Sequence, residues 1–169
     1  MTATAPRTPK TITDIEFPQG LSAHGISESD YRAWVKGRAR NLRARDAKPD
    51  RNCIEENVKA ADYYEPINLA VSEALVRGDF YTGEDLGWGK LGKQEDGKKR
   101  DSNYPTLDHV DPDDKGRDTA PILVVCRDDT NKMKSDMRVE TLHQKVSAMT
   151  QRGMISTQQA MAVATTKGK

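Results

Sequence analysis

The strongest β-strand signal in this sequence is one continuous apolar run at residues 121–126. A shorter run at residues 104–107 precedes it and leads into an Asp108-His109 pair. Apolar and β-branched runs of this length, bounded by proline and polar loops, are typical of buried strands. The polar segment after the second run has the residue types of a helix start. The order predicts strand, loop, strand and helix, and this order can bring Asp108, His109 and Asn131 together.

Three longer helices are predicted from apolar residues that recur at helical spacing. The first begins after Ser27, whose hydroxyl can cap a helix, and runs to about Ala44. The second begins at Pro66 and stops near Gly78, and a last helix begins near Asp136. The predicted buried faces contain Tyr31, Trp34, Val35, Ala39 and Leu42 in the first helix, Ile67, Ala70, Val71, Ala74 and Leu75 in the second, and Val139, Leu142, Val146 and Met149 in the last.

The chain is expected to form one domain with extensions, because it has 169 residues. Its hydrophobic content of 35% and mean hydropathy of −0.82 are low for a compact domain, so both ends are expected to be disordered. A short helix at 54–63 and a turn between aromatic strand residues at 80–88 are also predicted. The predicted parts are a disordered segment at 1–20, a helical extension at 21–78, a core with its C-terminal helix at 79–153, and a disordered tail at 154–169.

Charge and cysteine content narrow the class of protein. The net charge is +1, so any affinity for nucleic acid must come from local basic patches. The two cysteines, Cys53 and Cys126, are too few for a zinc knuckle. They can form one disulfide, but two free thiols in a reducing cytoplasm are favoured. No apolar run approaches the length of a membrane span and no signal peptide is visible, so we expect a cytoplasmic protein without a membrane partner.

The polar residues around the two strands suit phosphodiester hydrolysis. A histidine can take a proton from water near neutral pH, which fits His109 as a general base. Mg²⁺ prefers oxygen ligands and keeps several waters, so the carboxylate of Asp108 and the amide oxygen of Asn131 are a sufficient protein contribution. Neighbouring strand residues point to opposite faces, so Asp108 and His109 can serve different tasks only where the strand ends or bends, and Pro112 in the acidic loop 111–114 favours such an ending.

These motifs resemble the HNH, or ββα-metal, endonuclease family. The resemblance rests on residues 107–112, the strand at 122–126 and the segment 127–136. The last segment is similar to the metal-ligand helix of the HNH domain in RNA-guided CRISPR nucleases, where an asparagine is followed by a Lys-Ser-Asp run. Residues 80–88 are similar to a Tyr-Thr-Gly-type segment that precedes the core in many members. Together the matches cover about residues 79–138.

The resemblance implies an α+β fold with a ββα-metal core, additional N-terminal helices and a C-terminal helix. It implies that His109 is the general base of a DNA endonuclease, and that Asp108 and Asn131 hold one Mg²⁺ or Mn²⁺ ion. One element departs from the pattern, because residues 117–122 contain no asparagine or histidine to hold the base. Asp118, Thr119 or a backbone carbonyl are the candidates for that role. The zinc-binding cysteine pairs of many relatives are also absent.

Basic residues indicate where DNA phosphates could bind. The candidates are Arg127, Lys132 and Lys134 near the motif, and Arg32, Lys36, Arg40 and Arg43 on one face of the first helix. Evenly spaced cations on a helix can follow a nucleic-acid backbone, although a solvated helix face gives the same pattern. Two alternatives to a nuclease stay open. One is a degenerate nucleic-acid-binding or structural protein on the same scaffold, and the other is a protein-interaction module whose helices bind a partner.

Overall fold

The computed structural model describes residues 11–92, 101–111, 116–135 and 138–151. The regular elements are α1 (Glu28–Asp46), α2 (Tyr64–Arg77), β1 (Pro105–His109), β2 (Leu123–Arg127), α3 (Asp128–Lys134) and α4 (Val139–Gln151). Short 3-10 helices at Ile12–Asp14, Gln19–His24, Ala60–Tyr63 and Trp88–Lys90 lie between or before them. The combination of helices with a small antiparallel sheet confirms the α+β class, and the predicted order of two strands followed by a helix is observed.

The first helix begins where its capping residue predicts. The Ser27 hydroxyl oxygen accepts a hydrogen bond from the backbone N–H of Asp30 at 3.1 Å, which satisfies one of the free donors of the first turn. The predicted apolar stripe is buried: Tyr31, Trp34, Val35, Ala39 and Leu42. The helix continues two residues beyond the predicted end, to Asp46, and this extension brings the carboxylate of Asp46 into the interior.

The second helix ends at the predicted glycine for a clear steric reason. Gly78 has φ +77°, and a Cβ at this position would lie 2.6 Å from the carbonyl oxygen of Glu84. The helix starts two residues before the predicted Pro66. The short helix predicted at 54–63 is wrong except for its last turn, because the backbone around Ile54 pairs with Arg117 in a parallel bridge. Long-range pairing therefore outweighs the local helical preference there.

The segment predicted as a turn between aromatic strand residues is a turn without strands. The Asp79 carboxylate accepts hydrogen bonds from the backbone N–H groups of Tyr81 and Thr82, both at 2.8 Å. Such side-chain bonds to the backbone stabilise turns and compete with strand pairing. The Tyr81 ring is fully buried, so this aromatic residue packs in the interior without being part of a strand.

The N-terminal segment differs from the prediction of disorder for residues 1–20. Residues 12–14 and 19–24 form 3-10 helices, and Ile15 and Leu21 are buried in the main core. Ile12 and Phe17 also pack against this core, and the Phe17 ring lies 5.7 Å from the ring of Tyr31 in α1, so apolar contacts order the segment. Residues 1–10 and the predicted tail lie outside the described residues. In the part of the chain that is described, no helix has the length and apolar character needed to cross a membrane.

The two strands form an antiparallel hairpin whose two faces are covered by different elements. Leu107 pairs with Val125, and both belong to the main core that contains the buried residues of α1 and α2. Val124 lies on the other face, in a smaller cluster with Tyr81, Cys126, Leu142 and Val146. Because side chains alternate along a strand, Asp108, opposite Val124, faces the smaller cluster. The next residue, His109, faces the main core.

Candidate functional site

The imidazole of His109 is bound to a carboxylate that the sequence analysis did not single out. His109 is the last residue of β1, and its Nε2 lies 3.1 Å from Oδ2 of Asp46, the last residue of α1. The His109 residue is 4% exposed and Asp46 is 0% exposed. The pair is therefore buried where the end of the first helix meets the end of the first strand.

The carboxylate of Asp46 has three hydrogen-bond donors around it. Besides His109, the Tyr63 hydroxyl donates to Oδ2 at 2.7 Å, and the Arg45 Nε–H donates to Oδ1 at 3.1 Å. Burial by itself raises the pKa of Asp46, but hydrogen bonds from His109 and Tyr63 and the nearby charges of His109 and Arg45 outweigh it, so the pKa lies below its usual value. Burial, followed by the bond to Asp46, raises the pKa of the Tyr63 phenol. Asp46 is thus held as an anion.

The guanidinium of Arg45 covers the outer side of the same imidazole. Its Nη2 lies 3.1 Å from Nε2 and 3.3 Å from Nδ1 of His109. The Arg45 side chain is 34% exposed, so it is the part of this cluster that solvent reaches. A cation at this position can also contact an anion that approaches the ring. Arg45 was not among the basic residues selected from the sequence.

On the opposite face of the hairpin, Asp108 is paired with a buried lysine. The Lys134 Nζ lies 2.9 Å from Oδ2 of Asp108, and it also donates to the carbonyl oxygen of His109 at 3.2 Å. The Tyr81 hydroxyl donates to the same carboxylate oxygen at 2.7 Å. Burial, followed by the charge and the hydrogen bond of Asp108, raises the pKa of Tyr81. Lys134 is fully buried and lies 5.7 Å from the centroid of the Tyr81 ring.

Asn131 lies on the same face of the hairpin as Asp108, but it contacts Thr106, the preceding residue of β1 on that face. Its Nδ2 donates to the Thr106 hydroxyl at 3.2 Å, and that hydroxyl donates its only proton to the carbonyl oxygen of Cys126 at 3.1 Å. The hydroxyl can therefore only accept from Asn131, which fixes the orientation of the amide. Thr106 and Asp108 are two residues apart, which corresponds to about 7 Å along a strand.

The structure thus separates the three residues that were expected to share one site. Asp108 and Asn131 lie on the side of the hairpin that faces α3, and His109 lies on the side that faces the end of α1. The cause is the alternation of side chains in β1, which continues through His109. The backbone links the two sides, because Lys134 contacts both the carboxylate of Asp108 and the carbonyl oxygen of His109.

Asp108 and Asn131 carry oxygen atoms of the kind that hard cations take as ligands, but both side chains bond within the protein in this structure. Within the described residues, no group of three or more His, Cys, Asp and Glu side chains could hold a metal ion. A carboxylate with a carboxamide is a smaller set that suits Mg²⁺ or Mn²⁺ when water fills the other positions. The ammonium of Lys134 lies on Asp108 as a cation would. A metal ion on Asp108 would replace this ammonium, and Asn131 would have to turn its amide oxygen toward the ion.

The basic residues selected near the motif differ in how their charges are used. The guanidinium of Arg127 lies 2.8 Å from Asp129 and 3.1 Å from Glu84, and the hydrogen bond to Asp129 is the main cause of its raised pKa. The ammonium of Lys132 is exposed and forms an ion pair with Asp128. Lys134 is the clear correction, because its ammonium is buried as the counter-charge of an aspartate and is not at the surface where phosphates would bind.

The four basic residues predicted on one face of α1 also differ in how their charges are used. Arg32 forms an ion pair with Glu28 at 2.6 Å. Arg43 donates to the backbone carbonyl of Val58 at 3.2 Å. These two guanidinium groups are half-buried and stabilise the fold around the helix. Lys36 and Arg40 are exposed on the surface, so they are the members of the predicted set that are free to meet a nucleic acid.

One sequence signal could have identified Asp46. The buried stripe of α1 includes Ala39 and Leu42, and Asp46 occupies the next position on the same face. An acid in the last turn of a helix is unfavourable to the helix dipole. An acid that continues an apolar stripe and opposes the dipole must have a partner elsewhere in the fold. The partner, His109, is 63 residues away and cannot be read from local spacing.

Comparison with models of protein families, with curated proteins and with solved structures finds no match to this chain. The HNH resemblance therefore stays a prediction that depends on short motifs, their order and their spacing. The positions of His109, Asp108 and Asn131 in the hairpin and its following helix give the geometry from which a function can be proposed.

Proposed function

We propose that this protein is a metal-dependent endonuclease of the HNH type that hydrolyses DNA phosphodiester bonds in the cytoplasm. The supporting observation is the hairpin that runs directly into α3, with Asp108 and Asn131 on the α3 side and His109 at the end of β1. Such a reaction needs a general base and oxygen ligands for a metal ion, and these residue types lie on the two faces of one hairpin, which Lys134 links through Asp108 and the carbonyl oxygen of His109.

In the proposed reaction, His109 accepts the proton of the attacking water. The group is suited to this role because the buried carboxylate of Asp46 holds its ring at a fixed orientation. Arg45, beside the ring, is positioned to contact the phosphate. A bound Mg²⁺ or Mn²⁺, held by Asp108 and Asn131, would neutralise charge on the phosphate and stabilise the departing oxygen.

The proposal is tested by incubating supercoiled plasmid with the protein in MgCl₂, in MnCl₂ and in EDTA. We expect nicking or linearisation with either metal and none in EDTA. Asn131→Ala should raise the Mg²⁺ concentration needed for half-maximal cleavage, because one oxygen ligand is lost. Asn131 is preferred to Asp108 for this test because removing Asp108 also leaves Lys134 buried without its partner.

Asn41→Ala is the matched control for the loss of an amide, since Asn41 is exposed on α1 and far along the chain from the hairpin. It should have the metal requirement of the unmodified protein. A folded protein that cleaves in neither metal would contradict the proposal. Equal Mg²⁺ requirements in the Asn131 and Asn41 variants would remove Asn131 as a ligand.

A second candidate is a nucleic-acid-binding protein on the same scaffold that does not cleave. The observation that favours it is the buried ammonium of Lys134, which already neutralises Asp108 without a metal ion. Titration calorimetry with MgCl₂ separates the two candidates. Heat of binding that is lost in Asp108→Asn supports the nuclease, whereas no binding in the unmodified protein together with retained DNA affinity supports the second candidate.

Both candidates need a surface that binds phosphates, and Lys36 and Arg40 are its exposed part on α1. We expect Lys36→Gln/Arg40→Gln to lower the slope of log K against log salt by about 1.8 on duplex DNA, because each lost phosphate contact removes about 0.9. Binding isotherms at three salt concentrations measure this slope. Arg32→Gln/Arg43→Gln is the matched control, since these guanidinium groups bond within the protein. An unchanged slope in the first variant would leave α1 as scaffold alone.

A further inference from the structure

We infer that Asp46 is a positioning residue that holds the ring of His109 in one tautomer and orientation, in the role for which residues 117–122 offer no asparagine or histidine. This inference rests on the proposed function, because it assigns a partner to the proposed general base. The contact joins a helix outside the motif-bearing segment to the end of β1, with Nε2 of His109 3.1 Å from Oδ2 of Asp46.

The hydrogen-bond network determines which ring nitrogen carries the proton. A carboxylate only accepts hydrogen bonds, so Nε2 of His109 must be protonated to bond to Asp46. The Arg45 Nη2 lies 3.1 Å from Nε2 and 3.3 Å from Nδ1, so the guanidinium lies over the ring and does not itself select a tautomer. The contact with Asp46 therefore requires a proton on Nε2, and Nδ1 is the nitrogen whose lone pair can act as a base.

This tautomer leaves Nδ1 as the nitrogen that can accept a proton from water. The guanidinium of Arg45 lies over the ring with its Nε on Oδ1 of Asp46, and its side chain is partly exposed, so it is the group of this cluster that a phosphate can reach. Asp46 itself is held in place by the Tyr63 hydroxyl at 2.7 Å. The Arg45 Nε–H donates to the other oxygen, Oδ1, at 3.1 Å, and a carboxylate held by such bonds can keep a histidine ring in one orientation.

The candidates in residues 117–122, where the family pattern has an asparagine or histidine, are not required for this role. Asp118 and Thr119 were expected to substitute for the absent asparagine or histidine. The Thr119 hydroxyl lies 3.5 Å from the guanidinium of Arg117. The backbone N–H of Arg117 donates to the carbonyl oxygen of Cys53. The ring nitrogen of His109 is instead bonded to Asp46, and the fully buried position of that carboxylate requires partners of this kind.

The test is Asp46→Asn, read by two independent measurements. Long-range ¹H–¹⁵N spectra of the histidine rings report the tautomer, and plasmid cleavage in MgCl₂ reports the rate. The amide can present its NH₂ group to Nε2, so we expect the Nε2-protonated tautomer of His109 to lose its dominance. We expect the cleavage rate at saturating DNA to fall by about 10- to 100-fold, with the concentration for half-saturation unchanged.

Tyr31→Phe is the matched control, because it removes another buried hydroxyl bond of α1, the 2.8 Å bond to Asn68. It should leave both the tautomer and the cleavage rate unaltered. If Asp46→Asn fails to fold, the unmodified protein still gives a decision, since a His109 ring protonated on Nδ1 overturns the inference. The tautomer is measured without cleavage, so an inactive protein with the expected tautomer rejects the nuclease and keeps the positioning contact. Unchanged tautomer and rate in a folded Asp46→Asn variant would reject the contact and leave the nuclease standing.

Discussion

His109→Gln is expected to reduce plasmid cleavage by about 10²- to 10⁴-fold, the usual contribution of a general base. Glutamine is chosen because its amide N–H can still donate to the buried Asp46. Alanine would remove that donor and leave a buried carboxylate short of a hydrogen bond, so a loss of rate could then come from a loss of structure. The measurement is the single-turnover cleavage rate in MgCl₂ under saturating protein.

His24→Gln is the matched control for this substitution, since His24 is exposed and lies before the first helix. It should cleave at the rate of the unmodified protein. Circular dichroism and DNA affinity should be the same for both variants, because the mechanism assigns His109 to proton transfer. A His109→Gln protein that cleaves within a fewfold of the unmodified rate would exclude His109 as the base.

Lys134→Met is expected to lower the free energy of unfolding by about 3–5 kcal/mol. The substitution preserves much of the side-chain volume but leaves Asp108 as a buried charge whose remaining side-chain partner is the Tyr81 hydroxyl. The cost of such an uncompensated charge is larger than the cost of losing a surface ion pair. Urea unfolding followed by circular dichroism measures the change.

Lys132→Met provides the comparison on the same helix, because the side chain of Lys132 is 62% exposed. Its effect on the free energy of unfolding should stay within about 0.5 kcal/mol, as for most surface substitutions. The double variant Asp108→Asn/Lys134→Met should recover part of the stability lost in Lys134→Met, since it removes the unpaired charge. Equal effects of the two lysine substitutions would mean that Lys134 is not the buried counter-charge of Asp108.

Local sequence patterns predicted the longer helices and the two strands, but not the backbone at 54–59. The stripe of α1 and the glycine stop of α2 follow directly from spacing and from the conformational freedom of Gly78. The errors occur where distant segments meet. Ile54 is paired with Arg117, and Ile15 is covered by the main core, so neither position could be assigned from its neighbours in sequence.

The chemistry of the site was less predictable than its location. Asp108 and His109 lie at the end of a strand, as the sequence predicts, but both are buried and their partners come from other elements. Asp46 is contributed by α1. The ammonium of Lys134 is buried, where it bonds to the carboxylate of Asp108 and the carbonyl oxygen of His109. A lysine in a polar helix normally suggests an exposed charge, and only the three-dimensional structure shows that this one is enclosed.

The contact between the end of α1 and the end of β1 has a consequence for how this protein can be divided. The predicted boundary at residue 79 separates Asp46 and Tyr63 from the histidine that they hold. It also removes the helices that cover Leu107 and Val125 on one face of the hairpin. We therefore do not expect the hairpin and its helix to fold as an isolated fragment, because the first helix completes both their packing and their polar network. Any shorter version of the protein that keeps the contact of Asp46 with His109 must retain the chain from about the start of α1 onward.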